Sequence, residues 1–325
     1  MTASGADVAG GRHDRRHAGA RNAAVLAALT VLAGAARAQE GHTARLETRS
    51  WEELSNRRVS VAGERALKAA GAAWTHAESP QFIYHALSAA NLEPAARFAE
   101  FGYRELSRHT GPEINSWDLW SQITGRDRGR KPHLFLIPGG PLWDQVLAGV
   151  SSRPDGVAMQ LANEVFAPPP GDDPASAMKL AHELVHLRLL RIAGERVPIW
   201  LDEGLAGYAS WQVTRAYFGK QGRVMTRAAQ TVTKERLMSL QQLTAVKEYP
   251  KDPAAARAFY RQCEEFIRSV ASRIGQDRLA SFVLAVASGT TRLDEFFRKR
   301  YGFSEEDFRR LEQDMRLRCQ TAMDL

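Results

Sequence analysis

Cysteine is nearly absent from this chain of 325 residues: only Cys263 and Cys319 occur, and no Cys-x-x-Cys pair exists. That excludes a disulfide framework and any zinc site built from cysteines. Both lie on apolar helix faces, Cys263 near Phe259, Phe266, Ile267 and Val270 and Cys319 after Phe308, Leu311 and Met315, so buried free thiols and one disulfide between the last helices both stay open. No apolar run reaches the ~20 residues that a helix needs to span a bilayer. Internal repeats and long low-complexity stretches are missing too. So is a basic stripe. The formal charge is +7, but five Arg and two Asp fall within the first 38 residues, leaving 39 basic against 35 acidic residues. Those charges interleave, as in Arg298-Lys299-Arg300 before Glu305-Glu306-Asp307, which reads as solvated helix faces rather than a nucleic-acid surface.

The N-terminus carries Arg12, Arg15, Arg16 and Arg21, then an uncharged run from Ala23 to Ala36, then Ala36-Arg37-Ala38. A basic region, a short apolar region and a small-x-small cut site form a secretory signal, so residues 1–38 are expected to be removed on export to the periplasm or beyond. No stable membrane span is expected afterwards. The remaining 39–325 fits one two-lobed domain.

The first half of that domain alternates strands and helices. Gln81-Phe82-Ile83-Tyr84-His85 and His133-Leu134-Phe135-Leu136-Ile137 read as strands, a third runs from Val157 to Phe166, and Ala95 to Leu106 reads as a helix. His85 and His133, inside strands, are expected to be structural. From Asp173 onward helices follow one another between Gly and Pro breaks. Asp173-Pro174 caps a helix that stops near Gly194, a second starts around Asp202, and others cover about 226–242, 253–273, 276–288, 291–300 and 304–318. The fold class is therefore α+β: a small mixed β-sheet lobe with the key helix, about 75–195, and a mainly helical lobe, about 196–325.

The key helix contains His182-Glu183-Leu184-Val185-His186. Histidines four apart share a helix face, so both imidazoles can reach one cation at the ~2.0–2.1 Å that zinc requires. Glu183 projects beside the metal, where a carboxylate can take a proton from a water. A catalytic zinc takes three protein ligands and leaves its fourth position for water, so one more side chain is needed. Gly194 and Pro198 reverse the chain, and Gly204, Ala206 and Gly207 thin the second helix where it packs back. That brings two acids, Asp202 and Glu203, within reach.

With Trp200-Leu201-Asp202-Glu203-Gly204-Leu205-Ala206 following, and 16 residues between His186 and Glu203, the chain resembles the gluzincin metallopeptidases, specifically the small exported peptidases of the MA-like group. The motif pair covers about 30 residues directly. The resemblance implies a zincin-like fold, one Zn2+ per chain, Glu203 as third ligand, Glu183 as general base and peptide or protein substrates. It also implies that Tyr260, which resembles a tyrosine opening a later helix in that group, donates to the oxyanion. Asp202 is left to cap its helix or to orient a histidine. Leu189 and Ile192 stand where a metzincin needs Gly and His. Thermolysin-like enzymes carry an Asp four residues after the ligand Glu, where this chain has Gly207, so support for the ligands must come from elsewhere. A G-x-M-E-N strand is missing, which points to an endopeptidase rather than an aminopeptidase, and the stretch near Asn163 to Phe166 is expected to be an edge strand to which a substrate backbone adds as a further strand. Two other classes compete: a catalytically silent zinc-bearing peptide-binding module, and a structural exported protein whose motif is accidental.

Overall fold

The computed structural model describes residues 46–69, 71, 73–110, 130–148, 157–159, 163–193, 197–219, 232–287 and 293–321. The expected signal segment 1–38 lies outside these residues. Among these residues six strands form one sheet: β1 (Glu47–Arg49), β2 (Thr75–Glu78), β3 (Ile83–Ala86), β4 (His133–Leu136), β5 (Val157–Met159) and β6 (Glu164–Ala167), in the order β1-β2-β3-β4-β6-β5. β3, β4 and β6 are parallel, and the antiparallel strands β1, β2 and β5 flank them. β3, β4 and β6 are buried at every position, as parallel strands covered on both faces must be.

Alternation along each strand divides the sheet's side chains between two layers. Tyr84, Ala86, Leu134, Leu136, Val165 and Ala167 belong to the main core, shared with α2 (Leu92–Thr110), α4 (Pro174–Ala193) and the later helices. Phe135, Ile137 and Phe166 face a smaller cluster under α1 (Val61–Lys68) and α3 (Pro141–Leu147). The order of layers is thus short helices, sheet, long helices.

The expected α+β, zincin-like architecture is what the chain adopts. α4 begins as its sequence requires: the Asp173 carboxylate accepts from Ala175 N at 3.1 Å and Ser176 N at 2.9 Å, with Pro174 in the first turn. α5 (Ile199–Phe218) is buried continuously from Trp200 to Ser210, which explains its nearly uniform apolar composition. After it come α6 (Leu240–Ala245), α7 (Pro253–Ile274), α8 (Gln276–Ala287), α9 (Leu293–Tyr301) and α10 (Glu305–Gln320). Asp252 caps α7, and Ser304 with Asp307 closes a capping box on α10, where Phe303 packs against Phe308 at 5.8 Å.

Three sequence expectations are corrected. The strand from Val157 to Phe166 is two strands, because Asn163 turns the chain with φ of 60° and donates from Nδ2 to Arg130 O at 2.8 Å. The helix expected over about 226–242 does not run through its described part. Val232 N is tied to Cys319 O, Thr233 is extended, Lys234–Arg236 is a 3-10 turn, and Ser239 caps a new helix. The third concerns the sheet edge: β6 lies between β4 and β5, so β5, not the Asn163–Phe166 stretch, ends the sheet among the described residues.

Candidate metal centre

α4 and α5 are joined by a short connection through Pro198 and pack against each other, while α7 also packs against α5. The second crossing is close because of glycine. A Cβ on Gly204 would sit 2.5 Å from the carbonyl oxygen of Cys263, and one on Gly207 would meet the Glu264 side chain at 3.2 Å. With α7 seated that deeply, α5 turns its Asp202–Glu203 segment toward α4.

There the side chains converge. His182 Nε2 lies 3.4 Å from Glu203 Oε2, and His186 Nε2 lies 3.8 Å from the same oxygen. One ligand atom from each of the three residues falls within 4.8 Å of the others, and no other such triad occurs among the described residues. Ligands at ~2.0–2.1 Å from a tetrahedral zinc are separated by about 3.3–3.4 Å, so the spacing fits that ion with little adjustment. His186 and Glu203 are buried, while His182 keeps 28% of its side chain exposed, so the cluster opens toward solvent on the His182 side. Glu183, 7% exposed, neighbours the cluster on α4.

Asp202 has the orienting role rather than the capping one. Its Oδ1 is 2.8 Å from His186 Nδ1 and accepts that proton, which leaves Nε2 as the nitrogen directed at the cluster. Burial alone would lower the His186 pKa, but the carboxylates of Asp202, Glu203 and Glu183 outweigh it and raise it to about 10. The pocket thus carries more buried negative charge than its two imidazoles balance. A divalent cation answers that charge as well as the donor geometry does.

The remaining candidates lie on α7 and α10. Cys263 is a free, buried thiol, its pKa raised well above the usual range by burial and then by Glu203 and Cys319, so it offers no thiolate ligand. Cys319 is also free, and burial pushes it up to about 12. Tyr260 is half-buried on α7, one turn before Cys263 and hence on the helix that crosses Glu203's own, with its ring 6.2 Å from that of Tyr249. Sequence reasoning missed one feature. Glu264 and Glu265, both buried, are bound by Arg268 at 3.0 and 3.2 Å and by Arg261 at 2.9 Å, and Arg268 stacks over Trp211 and Tyr208. This network braces α5 one turn beyond Glu203, filling the space that Gly207 leaves. The Glu-Glu pair with arginines three and four residues away was its only signal.

Residues 174–317 match the family model described as Peptidase MA superfamily. The resemblance to gluzincin-type zinc peptidases holds. That match takes in α4, α5 and most of the helices after them, the elements that assemble the cluster. No curated protein matches. Among solved structures, the M1 zinc metallopeptidase from Deinococcus radiodurans and a single-residue mutant of it are each 16% identical, with a TM-score of 0.41 over 86% of this chain and 52% of theirs. The same mutant bound to a Tyr-Ser-Ala substrate is 16% identical with a TM-score of 0.38, over 74% of this chain and 48% of its own. The chain spans about half the length of these enzymes.

Proposed function

We propose that this protein is a zinc-dependent peptidase in which His182, His186 and Glu203 hold one Zn2+ and Glu183 is the general base. The observation that carries the reading is the convergence of both histidine Nε2 atoms on Glu203 Oε2, with Glu183 beside them. Bound zinc supplies Lewis acidity toward the scissile carbonyl and makes a water more acidic. Glu183 accepts the water proton and delivers it to the leaving amine nitrogen. Asp202 keeps His186 in the tautomer that can ligate. Tyr260 donates its hydroxyl to the developing oxyanion, a role supported by family resemblance and by its place on α7. β5 runs alongside α4 at the end of the sheet, so a substrate backbone can pair there as an added strand, a mode that tolerates many sequences.

The missing G-x-M-E-N segment favours endopeptidase over aminopeptidase action. Residues 1–38 act as the export signal, 39–325 form the peptidase domain, and the enzyme works in the periplasm or outside the cell on peptides or proteins. Nucleic acid has no place in this reading. No helix among the described residues is long and apolar enough to cross a membrane.

The test pairs metal analysis with a peptide-library digest of wild type, Glu183→Gln and His182→Ala. One zinc per chain in wild type and Glu183→Gln, with cleavage in wild type alone, is the expected result. Zinc without cleavage in any of them would leave a binding module in its place, and protein without stoichiometric zinc would defeat the reading outright.

A further inference from the structure

The sheet's outer face carries a second group of histidines, separate from the metal centre. His76 on β2, His85 on β3 and His133 on β4 form a line: His76 Nδ1 is 2.8 Å from His85 Nδ1, and His85 Nε2 is 2.8 Å from His133 Nδ1. His85 and His133 are fully buried and His76 is half-buried. Trp51 covers all three, its ring centroid 5.6, 5.9 and 6.5 Å from theirs. Trp51 belongs to a strap, residues 50–60, that leaves β1 and ties itself to the same face. Ser55 N donates to Glu78 at 3.0 Å, Asn56 Nδ2 donates to Lys131 O at 3.1 Å, and Ser60 donates through its backbone N and its hydroxyl to Glu164.

Counting protons shows how the line responds to acid. Three neutral rings hold three ring protons; two are shared in the two contacts, and the third must sit on an end nitrogen. His133 Nε2 is buried with no partner among the described residues, so a proton there would be an unsatisfied donor. The third proton therefore belongs on His76 Nε2 at the half-buried end, with His133 Nδ1 donating to His85 and His85 Nδ1 donating to His76. A fourth proton has only His133 Nε2 to occupy, and a fifth would put two protons into one contact.

We propose that this histidine line is an acid-sensitive latch: closed when all three rings are neutral, and released, with the strap lifting off the sheet, when acid supplies protons that the buried rings accept only in water. The neighbouring charges can be weighed. Burial lowers His76 against the pull of Glu52, lowers His85 with help from His133 and His76, and takes His133 down to about 4 against the pull of Glu78, which Lys131 in turn holds. Arg49, opposite His76 across β1 and β2, adds positive charge. Glu164, in register with His133, works the other way, since burial raises its pKa against the pull of the Ser60 hydrogen bonds and so favours the closed strap as pH falls. For the histidines the folded values lie below the free value of 6.5, so the closed form is fully favoured above 6.5 and loses ground as pH falls from there toward 4.

Hydrogen exchange of the full-length protein, read by mass spectrometry and corrected for intrinsic rates, tests this. Protection of residues 50–60 should fall between pH 7 and pH 5 by about twentyfold for His133 alone, and further with His85, while α4 and α5 keep theirs. A combined His76→Leu, His85→Phe, His133→Phe variant should show a flat profile over that range. Unchanged wild-type protection of the strap, or the same loss in the variant, would overturn the latch. Should the variant fail to fold, imidazole nitrogen NMR of the wild type decides. His85 and His133 must resist protonation until the strap opens, and titration near pH 6.5 with the strap still protected would refute the proposal.

Discussion

Replacing Gly204 by alanine sets two effects of opposite sign against each other at the crossing that seats the metal helix. Alanine is favoured over glycine inside a helix by about 1 kcal/mol, so propensity alone makes Gly204→Ala stabilising. The structure says otherwise. The added Cβ would stand 2.5 Å from the Cys263 carbonyl oxygen, 2.9 Å from its carbonyl carbon and 2.8 Å from Ile267 Cγ1. A side chain such as Ile267 can rotate, but the carbonyl belongs to the α7 backbone and yields only if α7 backs away from α5. Overpacking of this kind costs about 1–3 kcal/mol, and a backbone obstacle puts this case at or beyond the upper end. The expected net loss is about 2 kcal/mol, or roughly 4–8 °C in Tm for a domain of this size. Gly207→Ala is the internal control, since its Cβ meets only the Glu264 side chain at 3.2–3.3 Å, and it should be close to neutral. Urea and thermal melts in the presence of a chelator keep metal binding out of the comparison. A Gly204→Ala protein as stable as wild type, or more so, would refute the close crossing of α5 and α7.

Asp202→Ala removes the acceptor on His186 Nδ1 and should weaken zinc binding by about 10–100-fold in competition with a chromogenic chelator, with Asp202→Asn, which keeps an acceptor oxygen, falling less; unchanged affinity in the alanine variant would dismiss the orienting role. His109 is buried against Gln276, and burial, aided by Arg108, lowers its pKa to about 4. Its contribution, about 3 kcal/mol, is complete above pH 6.5 and lost as pH falls toward 4, so wild type minus His109→Leu in urea melts should shrink across that window, and a constant difference would contradict it. N-terminal sequencing of protein recovered from the periplasm or the medium should begin at Gln39, and a retained leader, or protein found in neither fraction, would count against the signal.

What the sequence disclosed depended on how local each feature is. Two histidines one helical turn apart and an acid 17 residues past the second are positioned by one helix and one reversal, and all three meet in the structure. The strands of lowest visibility were those whose partners are distant. Glu47-Thr48-Arg49 and Thr75-His76-Ala77-Glu78 have no apolar alternation of their own and become strands only because β3 offers an edge for β2, and β2 one for β1. The misplaced edge has the same origin. β6 inserts between β4 and β5, an order that chain sequence does not express, since either of two neighbouring segments can pair with β4. The helix expected near 226–242 followed composition, whereas the chain there answers to a bond from Val232 to the far end of α10.

Asp202 and Glu203 show why the same locality left one ambiguity in the site. Adjacent residues on a helix point about 100° apart, so they cannot present their carboxylates to one point in space. From sequence, either could be the one that faces the metal. An imidazole resolves the choice, because its two nitrogens look in different directions and each needs a partner when buried. His186 meets Asp202 at Nδ1 and looks toward Glu203 at Nε2, so a single buried ring takes both carboxylates and gives them different tasks. Exchanging the two acids, Asp202→Glu with Glu203→Asp, keeps charge and composition but alters the reach of both. The 2.8 Å bond and the 3.4 Å approach to His182 cannot both survive that exchange, so zinc affinity should fall although every ligand type is still present. Undiminished affinity in the exchanged protein would mean that the division of labour between these neighbours is not what organises the centre.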